Sequence, residues 1–337
     1  MNYLDSINDK TILITGGTGS FGKNFIRNIY PYAKKVIIYS RDELKQSEFA
    51  TTFEQKTILE KIRFFIGDVR DESRLKTAMN GVDIVVHAAA LKQVPACEYN
   101  PFEAVKTNIF GSQNVIKDAI YNNVEQVVLL STDKAVNPVN LYGATKMCAE
   151  KLFVQSNVYS PTHGGGKNTR LACVRYGNVV GSRGSVVPIL IGQAPSGKVT
   201  ITDKEMTRFW ITLDQSAELV LYALSVMGGG EIFVPKLKAS GIMDLVDVIA
   251  PDCEVEFIGK RPGEKVHEML ITEEEAGRTI DDKYCYRIIP KEPMWDRDKW
   301  PQEHEYINNL IYSSSSVDRM SYAELREFIE DFRKEIK

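Results

Sequence analysis

Residues 11–22 read Thr-Ile-Leu-Ile-Thr-Gly-Gly-Thr-Gly-Ser-Phe-Gly, a β-branched apolar run that passes directly into closely spaced glycines. Gly16, Gly19 and Gly22 form a G-x-x-G-x-x-G arrangement that opens a helical segment, Phe21 to Ile29. Glycine supplies positive φ for a tight turn, lets backbone amides approach an anion, and allows a helix to pack closely on a strand. The helix start adds unpaired N–H groups and the positive end of its dipole. Lying between an apolar strand and an amphipathic helix at the start of a βαβ unit, the loop predicts a dinucleotide pyrophosphate turn formed by Gly16, Thr18, Gly19, Ser20, Phe21 and Gly22.

The rest of the N-terminal half keeps the same rhythm. Strand candidates are Thr11 to Thr15, Lys35 to Tyr39, Ile62 to Ile66, Asp83 to His87, Gln126 to Leu130 and Leu171 to Val174. Helical periodicity runs through Phe102 to Ile120 and Tyr142 to Val158. This alternation predicts an α/β fold, a Rossmann-type doubly wound parallel sheet buried on both faces. After about Gly177 the strands shorten and prolines punctuate, with a more isolated helix at Asp214 to Met227. Residues 1–177 are therefore read as the cofactor-binding domain with the catalytic residues, and 178–337 mainly as a smaller α/β substrate lobe. No Gly/Ser hinge separates them, so the lobes are expected to interdigitate, with some strands and helices exchanged, around a cleft. Ser313 to Ser316 reads as a solvated loop before a last helix, Tyr322 to Ile336.

A chain of 337 residues with 43% hydrophobic and 26% charged residues can bury a core of this kind. A formal charge of -3 gives no footprint for nucleic acid or an anionic membrane. Apolar runs such as Asp83 to Leu91 are far shorter than the roughly 18 residues a spanning helix needs, and the first residues lack a signal-peptide pattern. A soluble, cytoplasmic protein is expected. Five scattered cysteines (Cys97, Cys148, Cys173, Cys253, Cys285) without a C-x-x-C pair read as reduced, buried small residues, with no metal site.

The end of the second strand decides which dinucleotide fits. An NAD site usually has Asp or Glu there for the ribose hydroxyls, whereas this chain has Ser40 and Arg41, followed by Lys45. A carboxylate would repel a 2′-phosphate; a hydroxyl, a guanidinium and an ammonium would hold it. Asp42 comes one residue late, so NADP is favoured. Asp68 and Val69, after the third strand, are placed for the adenine end or form a plain surface turn.

The fifth strand leads into Ser131-Thr132-Asp133-Lys134, and Tyr142-Gly143-Ala144-Thr145-Lys146 follows. Tyr and Lys four apart project from one helix face. In a dinucleotide fold that pair can deliver a phenolate, its pKa lowered by the neighbouring ammonium and by oxidised nicotinamide, to take a proton from a sugar hydroxyl as hydride leaves.

Together these segments resemble the extended short-chain dehydrogenases/reductases. More narrowly, the chain resembles the soluble 5-inverting UDP-N-acetylglucosamine 4,6-dehydratases of pseudaminic acid biosynthesis. The resemblance rests on TGGTGSFGK (15–23), YSRDELKQSE (39–48), FFIGDVRD (64–71), HAAALKQVP (87–95), STDKA (131–135), NLYGATK (140–146), VRYGNVVGSRGSVVP (174–188), MTRFWIT (206–212) and RPGEK (261–265). It implies that the cofactor is NADP and the substrate UDP-N-acetylglucosamine. It also implies a homo-oligomer, commonly a hexamer, in the cytoplasm.

By the same resemblance, Tyr142, with Lys146 and Thr132, deprotonates the sugar 4-hydroxyl while hydride leaves carbon 4 for NADP. Lys134 then removes the carbon 5 proton, which requires a neutral amine, and Asp133 protonates the departing 6-hydroxyl. Hydride returns to carbon 6, and reprotonation of carbon 5 from the opposite face gives the inverted 4-keto-6-deoxy sugar. Without the resemblance, a solvated ion pair of Asp133 and Lys134 in the loop after the strand is the lesser alternative. Glu43 and Leu44 join Ser40, Arg41, Asp42 and Lys45 on the cofactor. Lys92, Tyr142, Lys146 and Val179 also touch it, and Ala88, Lys92 and Asn178 touch the sugar. Arg183, Arg208 and Arg261 suit the diphosphate, and Glu264 the ribose diol. His87 reads as a packed strand-end residue and not as an acid or base.

Two other readings stay open: a related UDP-sugar epimerase, or a dehydratase with added carbon 3 epimerase activity; and, from a different class, a non-catalytic NADP sensor. Such sensors typically lack the Tyr and Lys present here.

Overall fold

Six strands rich in Ile, Val and Leu build the core of the computed structural model, which describes residues 3–160, 168–181, 185–291, 295, 306–307 and 310–335. They are β1 (Thr11–Thr15), β2 (Lys35–Ser40), β3 (Ile62–Ile66), β4 (Ile84–His87), β5 (Gln126–Thr132) and β6 (Arg170–Tyr176). All pair in parallel, in the order β3-β2-β1-β4-β5-β6. Alternate side chains feed two separate cores. Leu13, Ile37, Val85 and Val127 face one layer, while Ile12, Ile14, Ile38, Val86 and Val128 face the other. Helices cover both faces, as the sequence rhythm predicts.

The second half of the chain adds β7 (Asn178–Val179), β8 (Lys198–Ile201), β9 (Thr207–Ile211), β10 (Ile232–Pro235), β11 (Ala239–Gly241) and β12 (Glu254–Phe257). The last are β13 (Met269–Ile271), β14 (Thr279–Asp281), β15 (Cys285–Ile288) and β16 (Tyr312–Ser313). β10 joins the large sheet parallel to β6, and β15 and β14 extend it antiparallel. The remaining strands form small sheets, β11-β9-β7, β12-β8 and β13-β16. The helix Leu213–Val226, closed at its start by a Thr212/Gln215 capping box, buries Ala217, Val220 and Leu224 in the same layer as Phe25 and Ile26 of the first helix. Structure after residue 177 is thus woven into the nucleotide-fold sheet.

Three elements depart from the sequence expectation. β5 runs two residues further, through Thr132, so the reactive segment is anchored in the sheet. The stretch Phe102 to Ile120 divides into the helix Pro101–Val105, a π turn Lys106–Phe110 and the helix Gly111–Tyr121. The widened turn carries Asn108, which is buried and bonded to Leu91 and Thr145. The serine tract is no solvated loop: Ser313 lies in β16, and Ser314 is fully buried against Thr207 and Glu268. Cys97, Cys173 and Cys285 are buried, Cys148 and Cys253 are partly exposed, and all five are free thiols. Among the described residues no helix is long and apolar enough to cross a membrane, and no group of His, Cys, Asp or Glu could hold a metal ion.

Candidate active site

Strand order reverses between β1 and β4, and a cleft of about 580 Å³ opens at the carboxyl ends of the strands there. Gly16 turns the chain out of β1 with φ 66°; a Cβ at this position would stand 2.9 Å from the backbone of Ala89 in the loop after β4. Only glycine permits that approach. Gly16, Thr18, Gly19, Ser20, Phe21 and Gly22 all line the cleft. Gly19 makes no side-chain cap on the helix Ser20–Ile29, so the first amides stay available to an anion.

Ser40, Arg41, Asp42 and Lys45 line the cleft at the end of β2, and Asp68 and Val69 at the end of β3. Arg41 is 53% exposed, with its guanidinium 3.5 Å from Asp68, which also accepts from Arg70 at 2.7 Å. Lys45 pairs with Asp42, whose other oxygen caps the helix Glu43–Ala50 by accepting from the Lys45 amide at 3.0 Å. Glu43 and Leu44 are exposed and lie outside the lining. Ala88, Lys92, Asn178 and Val179 lie within it. Thr107 Oγ1, Ser131 Oγ, Asn178 Oδ1 and Ser185 Oγ are buried in this lining without a hydrogen-bond partner. Buried polar atoms are ordinarily paired, so four orphans along one cleft mark the polar edge of a bound molecule. The glycine cradle and these orphans together fit a dinucleotide and a polar substrate.

At the end of β5, Thr132 Oγ1 donates to Asp133 Oδ1 at 2.8 Å, and Lys134 Nζ donates to the same oxygen at 3.0 Å. Asp133 is fully buried behind the cleft wall, which rules out a solvated ion pair. Asn140 starts the helix Leu141–Gln155: its Oδ1 accepts from Gly143 N at 2.8 Å, and its Nδ2 donates to Gly263 O at 2.7 Å. A Cβ on Gly143 would sit 2.1 Å from the Lys134 carbonyl oxygen, so this glycine lets the Tyr142 turn press on the Thr-Asp-Lys turn. Thr132, Lys134, Tyr142 and Lys146 share the cleft wall.

The protein's own groups set the resting charges there. Burial pushes the Tyr142 hydroxyl up to about 12, against the opposing pull of the Lys134 ammonium and the hydrogen bond with Thr132. The cation acting on Tyr142 is thus Lys134, and in the protein alone desolvation outweighs it. Burial pulls Lys146 down to about 8, opposed by Cys173 and Glu150. Burial also disfavours the Lys134 ammonium, yet the carboxylates of Asp133 and Glu268 outweigh it and raise its pKa. Lys134 therefore rests charged, whereas its expected role needs a neutral amine.

Residues 12–290 match the family described as polysaccharide biosynthesis protein. The chain belongs to that family. A Campylobacter jejuni relative named UDP-N-acetylglucosamine 4,6-dehydratase (inverting) is 50% identical over 323 residues, 94% of this chain and 92% of the relative. A Rickettsia conorii relative named UDP-glucose 4-epimerase is 43% identical, covering 95% of each chain. The solved structure of Pen from Bacillus thuringiensis is 38% identical, with a TM-score of 0.87 over 96% of this chain and 99% of that one.

Of the residues assigned to substrate, Arg208, Arg261 and Glu264 lie outside the cleft lining, and Arg183 lies outside the described residues. Arg208 is buried and donates to the carbonyls of Thr207, Lys265 and Val266 at 2.7–3.0 Å, bracing the RPGEK segment. Glu264 accepts from the Arg261 amide at 3.1 Å within the turn. Sequence reading missed Asn108 and Glu268. Asn108 clamps Leu91 N and O at 2.8 and 2.9 Å and reaches Thr145 Oγ1 at 3.0 Å, tying the β4 loop to the Tyr142 helix. Nothing in the spacing of either residue signals a partner so distant in the chain.

Proposed function

We propose that the protein is an NADP-dependent UDP-N-acetylglucosamine 4,6-dehydratase (inverting), a hydro-lyase that begins pseudaminic acid biosynthesis. The observation that carries this reading is the Asp133–Lys134 pair, an acid and a base locked together beside Tyr142 in a dinucleotide cleft. Redox chemistry alone needs no such pair; removing water does.

The nicotinamide, when bound, supplies reversible hydride transfer, taking hydride from sugar carbon 4 and returning it at carbon 6. The residues of the glycine loop, with Ser40, Arg41 and Lys45, hold the dinucleotide. Tyr142, once its own proton has left for solvent under the positive charges of Lys134 and the oxidised nicotinamide, takes the proton of the 4-hydroxyl as a phenolate, and Lys146 supports it from the next helical turn. The resulting ketone acidifies carbon 5. Before Lys134 can take that proton, its own must pass to Asp133, 3.0 Å away: an N–H bond breaks, an O–H bond forms, and the ion pair becomes a neutral pair. Asp133, which lies behind the cleft wall, then protonates the departing 6-hydroxyl by way of Thr132 Oγ1, 2.8 Å away on that wall: Thr132 gives up its own O–H proton and takes the one from Asp133. Solvent on the face opposite Lys134 returns one proton to carbon 5, which inverts it and balances the proton that Tyr142 released.

The homo-oligomeric state, a hexamer among the forms, belongs to the same reading and is measured by light scattering. The Rickettsia relative's name favours a second reading, a UDP-sugar epimerase. Incubation with UDP-N-acetylglucosamine and mass spectrometry separates the two: loss of one water supports the dehydratase, while a product of unchanged mass supports the epimerase. The NMR couplings at carbon 5 of the product report the inversion.

A further inference from the structure

Two buried carboxylates, not one, flank Lys134. Glu268 is 2% exposed, with Oε1 3.4 Å from Lys134 Nζ and Oε2 3.7 Å from Lys265 Nζ. Oε2 has no hydrogen-bond partner, and neither has Asp133 Oδ2. The backbone of Glu268 is fixed independently of these pairs. Its amide donates to Ser314 Oγ at 2.9 Å, and its carbonyl accepts from Ser314 N at 2.8 Å and from Ser313 Oγ at 3.2 Å. Ser314 in turn meets Thr207 Oγ1 at 2.7 Å. β13 and β16 thus deliver a carboxylate to the acid-base turn from about 135 residues away in the sequence.

An ionised group in such a place is costly unless its charge is answered, and the answering charge is the lysine assigned as base. We propose that Glu268 is a positioning residue for Lys134, its carboxylate holding the amine opposite Asp133 and keeping a proton on the Asp133–Lys134 pair. This rests on the dehydratase reading, in which the pair must carry one proton; with Asp133 ionised and Lys134 neutral, no acid remains for the leaving hydroxyl.

The groups facing Lys134 are Asp133 on its own turn, Glu268 and Lys265 on the 261–268 segment, Arg208 on β9 and Tyr142 on the catalytic helix. His267 turns instead to Thr207 Oγ1. Glu268→Gln removes one of two carboxylates and leaves the Arg208 and Lys265 cations in place, so Lys134 should lose its proton at lower pH. Lys265→Met should act oppositely, leaving Glu268 undivided.

Two measurements test this. Competitive acetylation with trace acetic anhydride across a pH series, with the Lys134 peptide quantified by mass spectrometry, reads the amine without substrate. The pH profile of water elimination reads it in turnover. In Glu268→Gln the acetylation midpoint and the alkaline limb of kcat should both fall by about one pH unit, a tenfold weaker hold on the proton, with KM changed less than kcat. Glu268→Asp should restore the limb, and Lys265→Met should move it upward. A Glu268→Gln protein whose Lys134 titrates as in the wild type overturns the proposal. Should that variant not fold, an unmoved Lys134 midpoint in Lys265→Met overturns it equally. If the wild type releases no water, the dehydratase reading fails, while the acetylation arm still decides the role of Glu268.

Discussion

Lys134 and Lys146 line one cleft, yet their surroundings drive them apart. Lys146 has no carboxylate in direct contact among the described ion pairs and yields to burial, whereas Lys134 is answered by Asp133 and Glu268. In the NADP reading, Arg41 is the residue on which cofactor choice turns. Arg41→Ala should weaken NADP binding about tenfold or more, the scale of one charge-assisted phosphate contact, and change NAD binding far less. Equal losses in a fluorescence titration would remove Arg41 as the 2′-phosphate ligand. His87 sets a stability term. The Ala89 amide donates to Thr15 Oγ1, which donates to Nδ1, while Nε2–H meets Ser112 Oγ, itself a donor to the Asn108 carbonyl. This chain assigns a neutral ring, and burial, then Lys146, depresses its pKa from 6.5 to about 3. The unfolded chain binds that proton more readily, so stability is full above pH 6.5 and is lost as pH falls toward 3. Denaturant melts at pH 6 and pH 5 should differ by about 1.4 kcal/mol more in wild type than in His87→Gln.

Elements behave differently from residues because their ends and breaks are set by partners. The bounds of β1 and β3 and the starts of β2 and β5 are readable from β-branched apolar runs, whereas β4 starts one residue later and β6 one residue earlier than those runs suggest. The π turn at Lys106–Phe110 is not readable, because its benefit lies in Asn108 reaching Leu91 and Thr145, contacts that no local periodicity encodes. Asn108→Ala leaves the part-buried Leu91 amide unpaired and its carbonyl with only the Cys97 thiol, and should cost about 1–3 kcal/mol in urea unfolding, with a fall in kcat as the β4 loop loosens. A variant as stable and active as wild type would show that the widened turn is incidental.

At the scale of the whole molecule, the second half is held to the first by charge as well as by sheet. Arg175 on β6 donates to Glu150 of the catalytic helix at 2.7 Å and to Glu275 of the short helix Glu273–Ala276 at 2.9 Å, with Arg175 and Glu150 each 3% exposed. Leu270 O accepts from the same guanidinium at 2.9 Å, so one side chain joins three parts of the fold. Arg175→Met strands the Glu150 carboxylate in the interior, leaves Glu275 with only Arg278 at 3.7 Å as its cation, and should destabilise by about 3–5 kcal/mol in a denaturant melt. A loss below about 1 kcal/mol would mean that Glu150 and Glu275 reach water or other cations once the arginine is gone.

The doubly wound sheet, the glycine cradle and the Tyr142–Lys146 spacing are legible in the order of residues alone, because local periodicity and short spacings encode them. Even the Thr132-Asp133-Lys134 turn was legible as a polar break after an apolar strand. Only the tertiary structure decided what state those groups rest in. Desolvation leaves Tyr142 a phenol, while the carboxylates of Asp133 and of Glu268, the latter from far along the chain, outweigh burial and leave Lys134 protonated.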